Sequence, residues 1–98
     1  MTTHAGSEDR GIDAYRIEID EIDVELLALF NRRAACALAI GELKKKTGQP
    51  VFVPEREKKV LDKMMSMNRG PLANQSVQTL FQALMDQMKL IENAIDAE

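Results

Sequence analysis

The sequence predicts an all-α protein of three helices, in the order long, short, long, assembled as an intertwined helical homodimer. Three observations lead there. Apolar residues recur at steps of three and four along most of the chain. Glycine and proline gather between the helical stretches, around Gly48 to Pro54 and around Gly70 and Pro71. The first unbroken helical stretch is also too long for a chain of 98 residues to cover by itself.

That first helix runs from about Ile12 to Thr47, with no proline and Gly41 as its one glycine. Ile19, Ile22, Leu26, Leu29, Ala37 and Ile40 mark one face. Thr47 and Gly48 end it, Gly48 being a natural C-terminal cap. "QPVFVP" follows as an extended connection. Pro54 suits the first turn of a second helix, "PEREKKVLDKMMSMN", where its missing N–H costs nothing. "NRGPLANQS" reads as a loop with possible Asn or Ser caps. The last helix is "VQTLFQALMDQMKLIENAI", from Val77 to Ile95. The first helix would extend roughly 54 Å at 1.5 Å per residue, against a radius of gyration near 13 Å for a compact domain of this size. Its stripe therefore needs a second copy, hence the dimer.

Composition excludes several classes. Hydrophobic residues make up 45% and charged residues 30%, so the chain is globular rather than disordered. A formal net charge of −3 and 4% aromatics lack the basic surplus and stacking platform of a nucleic-acid binder. No apolar run approaches the roughly 20 residues of a membrane span. The polar start, residues 1–11, reads as a flexible tail holding the only His, His4, and no signal-peptide core. The single Cys36 gives neither a disulfide nor a metal cluster, which suits a cytoplasmic protein; a buried, inert thiol is expected. No metal is expected. The methionines Met64, Met65, Met67, Met85 and Met88 read as core filling.

Some charges interrupt the apolar stripes. Continuing the first helix's pattern, Arg33 and Lys44 stand where Leu or Ile would be expected. Glu92 does the same in the series Val77, Phe81, Leu84, Met88, Glu92, Ile95. An unpaired buried charge costs several kcal/mol. Two explanations stand: a structural ion-pair network, or cations awaiting an anionic ligand, for which Arg offers bidentate carboxylate binding and Lys a compact charge. Arg16 lies roughly 25 Å before Arg33 on a straight helix. It either pairs with Asp20 on the surface or reaches a site in the partner chain.

The pattern "R-x6-D-x2-LL-x-L-x3-R" from Arg16 to Arg33, "G-x2-K" at Gly41 to Lys44, "PVFVPERE", "RGPLANQSVQTLFQALM" and Glu92 together resemble the all-helical chorismate mutases. The likeness is in particular to the mutase domain at the N-terminus of prephenate dehydratase proteins. It covers about Ile12 to Glu92 and implies a mutase domain over 12–98. No dehydratase domain follows before Glu98, so a free-standing mutase or an excised domain is expected. The resemblance implies a Claisen rearrangement of the dianion chorismate to prephenate, toward phenylalanine and tyrosine, without cofactor. It implies that Arg33, and Arg16 from the other subunit, bind carboxylates. Lys44 would bind a carboxylate and donate to the ether oxygen, flanked by Glu92. The Val53 backbone and Glu57 would meet the ring hydroxyl, and Arg56 would add a cation. An ionised Glu92 cannot donate a hydrogen bond, so turnover is expected to rise toward acidic pH. Val53 stands where many relatives carry Asp, and Met88 where a small or hydroxyl residue often contacts a carboxylate.

Two other functions fit the same pattern. Isochorismate-pyruvate lyases are similar in fold and cations, although Glu92 and the "GPLANQSVQTLF" segment favour the mutase. A non-catalytic regulatory or dimerisation module is the alternative from another class. A plain coiled coil fits poorly with Arg33, Lys44 and Glu92 on apolar faces.

Overall fold

The computed structural model describes residues 11–96. The expected tail, apart from Gly11, lies outside the described residues, and so does His4. Three α-helices are present: α1 (Ile12–Thr47), α2 (Pro54–Met67) and α3 (Asn74–Asp96). No strand occurs among the described residues, in agreement with the all-α expectation.

The bounds of α1 follow from local chemistry. Asp13 sits in its first turn and Lys44, Lys45 and Lys46 in its last, each sign at the end the helix dipole favours. Gly48 then takes φ +74°, and the Gln49 N–H donates to the Lys44 carbonyl at 3.0 Å, the six-to-one bond of a Schellman cap. A Cβ on Gly48 would meet nothing within 4 Å; the positive φ, not crowding, calls for glycine.

Pro54 occupies the first turn of α2 as expected, after an extended Val53 (φ −127°, ψ 94°) with no side-chain cap. The Val53 carbonyl accepts from the N–H groups of Arg56 (3.0 Å) and Glu57 (3.2 Å). The α2–α3 turn is organised by Asn68. Its Nδ2 donates to the Leu72 carbonyl and to Asn74 Oδ1, both at 2.8 Å. Its Oδ1 accepts from the Gly70 N–H at 3.0 Å. α3 starts at Asn74 rather than Val77, and the Val77 N–H donates to the Ala73 carbonyl at 3.1 Å. The "NQS" stretch is therefore the first helical turn and not part of the loop, and of the Asn and Ser residues in that loop it is Asn68 that organises the turn.

The chain divides into a first unit ending at Arg33 and a second from Ala34 to Glu98. In the second, α2 packs on α3. Val77, Met85 and Met88 are buried, with Ala37 and Glu92; Phe81, Leu84, Val60, Leu61, Met64 and Met65 are half-buried. The α3 stripe is thus as expected through Glu92, and of the five methionines expected as core filling only Met67 stays exposed. In the first unit no described residue is buried. Ile19, Ile22, Leu26 and Leu29 all lie open, and Val24 is 70% exposed. Cys36 is exposed, against the expected buried thiol; it lies about 100° around the helix from the buried Ala37.

Candidate active site

Lys44 projects from the last turns of α1 and is held from two sides. Its Nζ donates to the Val51 carbonyl at 3.1 Å and lies 3.4 Å from Glu92 Oε1. Both side chains are largely withdrawn from solvent, at 17% and 11% exposure. The bond to Val51 ties the 48–53 connection to the α1 terminus. Glu92 reaches the same place because it falls on the inward stripe of α3. Its Oε1 is fully buried and has no hydrogen-bond partner among the described residues; Lys44 is near enough to attract it but not aligned to donate. A buried carboxylate oxygen without a donor is costly, and such a group calls for a specific explanation.

A second charged cluster sits at the α2–α3 contact. Glu57, in the first turn of α2, has both oxygens engaged. Oε1 accepts from Gln82 Nε2 at 3.1 Å, and Oε2 lies 2.9 Å from Lys89 Nζ. Lys89 is also 3.1 Å from Asp86 Oδ1 and stands 4.6 Å from the centroid of the Phe52 ring. The contact with Glu57, and then that with Asp86, holds the Lys89 ammonium above its ordinary 10.5. Gln82, and then Lys89, hold the Asp86 carboxyl below its ordinary 3.8. Lys89 and Glu92 are three residues apart on α3, so the two clusters neighbour each other on one helix surface.

Of the residues expected at a site, Lys44 and Glu92 come together directly. Glu57 joins the same stretch of α3 through Lys89. Met88 is buried one turn before Glu92. Val53 is half-buried at the α2 start and Arg56 is exposed in its first turn. In the first unit, Arg33 is half-buried and takes part in none of the ion pairs among the described residues. Arg16 pairs with Asp13 at 4.0 Å, both strongly exposed, and not with Asp20 as one sequence alternative had it. Sequence reasoning missed Lys89, Gln82 and Phe52. Gln82, Asp86 and Lys89 do form a polar stripe at steps of four and three, but only the α2–α3 register shows that it faces Glu57. Among the described residues, no group of three or more His, Cys, Asp or Glu could hold a metal ion.

A withdrawn Lys44–Glu92 pair with one carboxylate oxygen lacking a donor thus stands in an all-helical fold. The family described as chorismate mutase type II matches residues 15–93, and the chain belongs to that family. Over 81 residues it is 46% identical to a protein of Neisseria gonorrhoeae named bifunctional chorismate mutase/prephenate dehydratase, covering 83% of this chain and 22% of that one. A protein of the same name from Pseudomonas aeruginosa is 39% identical over 89 residues, covering 86% and 24%. The chain thus spans less than a quarter of these relatives' lengths. The intracellular chorismate mutase of Mycobacterium tuberculosis is 44% identical over 60 residues, or 61% of this chain and 55% of that one. Among solved structures, chorismate mutase (form II) of Thermus thermophilus superposes with a TM-score of 0.82 at 29% identity, covering 84% of this chain and 93% of that one.

Proposed function

We propose that this chain is a chorismate mutase, converting chorismate to prephenate on the route to phenylalanine and tyrosine. The observation that carries the proposal is the Lys44–Glu92 pair: two withdrawn, opposite charges 3.4 Å apart, with Glu92 Oε1 left without a donor. A structural pair would have that oxygen satisfied. The family and the Thermus likeness support the same reading.

In the rearrangement, one ether C–O bond breaks as one C–C bond forms, and no proton or electron is exchanged with the protein. Two contributions remain: holding the substrate in its compact conformer, and stabilising charge on the ether oxygen. Lys44 donates to that oxygen and to a carboxylate. Glu92, once protonated, donates from the other side. Arg33 and a second subunit's Arg16 bind carboxylates, with Arg56 as a further cation. Glu57 and the Val53 backbone meet the ring hydroxyl. Met88, unable to bond a carboxylate, makes the pocket more apolar there.

The site is complete only in a homodimer on this reading. Its support is the open apolar surface of α1, where Ile17 and Leu27 are each more than 60% exposed, more apolar exposure than a monomer in water carries comfortably. The working location is the cytoplasm, a reading supported by the Mycobacterium tuberculosis relative's name, intracellular chorismate mutase.

The deciding experiment follows chorismate loss and prephenate formation at pH 5 and pH 8. Turnover that is faster at pH 5 supports the reading. Pyruvate released from isochorismate, without mutase activity, points to a lyase. No turnover of either substrate points to a regulatory module. A monomer in sedimentation at micromolar concentration overturns the dimer and the role of Arg16.

A further inference from the structure

We propose that Lys89 is a positioning residue for Glu57, fixing the carboxylate that meets the substrate hydroxyl; this rests on the chorismate mutase reading above. Glu57 lies in the first turn of α2, the helix that follows the 48–53 connection. Left alone, a glutamate there has three free torsions and would sample solvent. Here Lys89 holds Oε2 at 2.9 Å and Gln82 holds Oε1 at 3.1 Å. One donor on each oxygen fixes the carboxylate plane while leaving each oxygen a further lone pair to accept from a ligand.

Lys89 is itself immobilised, which a positioning group must be. Asp86 lies 3.1 Å from its ammonium, and the Phe52 ring stands 4.6 Å away on another side. Phe52 belongs to the extended connection that Lys44 grips through the Val51 carbonyl. Lys89 therefore joins three pieces: the connection, the α2 start and α3. A purely structural pair at the surface has no need of an aromatic cover or a second donor to its carboxylate, because exposed pairs contribute little. Here the two partners are 25% and 15% exposed, and the acid is one with a proposed substrate contact. The arrangement gives the substrate hydroxyl an oriented acceptor, in the way that groups behind an active side chain fix its geometry.

The test measures kcat and KM of the parent chain, Lys89→Met and Lys89→Arg with chorismate. It repeats the measurement with an analogue that lacks the ring hydroxyl. Circular dichroism confirms that each variant is helical. Lys89→Met is expected to lose about ten- to hundredfold in kcat/KM with chorismate, the scale of a misplaced contact group, with most of it recovered in Lys89→Arg. With the analogue, parent and Lys89→Met should agree within about twofold. An equal loss on both substrates, or no loss on chorismate, overturns the positioning role while leaving the mutase reading intact. No turnover by the parent chain overturns that reading, and this role with it. Should Lys89→Met not fold, Phe52→Leu removes only the ring over the ammonium, and the same substrate-dependent loss, smaller in size, is required.

Discussion

Two ion pairs occupy neighbouring turns of α3, and they are built differently. Lys89 and Glu57 are satisfied on every side: each Glu57 oxygen has a donor, and the ammonium has a second carboxylate and a ring. Lys44 and Glu92 are more deeply withdrawn, yet Glu92 Oε1 is without a donor. Burial alone predicts the opposite, since desolvated charges need more bonds than exposed ones. On the proposed function, the difference separates a carboxylate held as an acceptor from one placed to donate at the reacting atoms. The completed pair ties α2 to α3 and holds Glu57 as an oriented acceptor. A pair left incomplete, in a shielded place, has capacity for a ligand.

The contrast can be broken most severely at Lys44. Lys44→Met should lower kcat by about 10²–10³-fold, the scale of losing one preorganised donor, while helical content stays within error by circular dichroism. A loss under tenfold would make the pair structural after all. Next in size, an activity defect and a stability gain should separate. The double variant Lys44→Met/Glu92→Leu is expected to be inactive but as stable as the parent or more so, by about 1–4 kcal/mol in urea unfolding, because well-packed apolar residues often replace a buried pair without loss. Marked destabilisation would place this pair in the same class as Lys89–Glu57.

Glu92→Gln sharpens the comparison by pH. An amide donates at any pH and a carboxylate only when protonated, so the parent should turn over faster at pH 5 than at pH 8 while Glu92→Gln stays nearly level. Identical profiles would remove Glu92 from the chemistry. Gln82→Leu takes a donor from the satisfied pair, and about 1 kcal/mol of stability is expected to go with it, read as a lower urea midpoint.

The smallest effect concerns the pH range in which the satisfied cluster works. Lys89 is raised, so its contribution is complete below pH 10.5 and is lost as pH rises through its still higher folded value. Asp86 is lowered, so its contribution is present above pH 3.8 and is lost as pH falls through its folded value. The stability difference between the parent and Asp86→Asn should therefore be the same at pH 5 and pH 8 and shrink only below about pH 4. A difference that changes between pH 5 and pH 8 would overturn this account of Asp86.

Much of this was legible in the residues. The extent of α1 is written in the absence of proline and in Gly48, whose positive φ only glycine adopts cheaply. The start of α2 is written in Pro54. Arg33, Lys44 and Glu92 stood out because charge on an apolar stripe breaks a periodicity that needs no partner to be seen. The start of α3 was misread because the turn is held by Asn68, six residues before Asn74, a bond between side chains distant in sequence. Cys36 was misread because in α1 burial falls on the small residues Ala37 and Gly41 rather than on the whole apolar set.

The sequence by itself determined the three helices, their order and the residues that carry unusual charge, because helix periodicity and capping are local. Tertiary structure alone decided which charges meet. Lys44 finds Glu92 across 48 positions of chain and Glu57 finds Lys89 across 32, and only the packing of α2 on α3 brings Glu57 to Lys89. It also decided which pair is complete, because satisfaction of a carboxylate depends on the direction of each donor, and direction is a property of packed helices rather than of residue order.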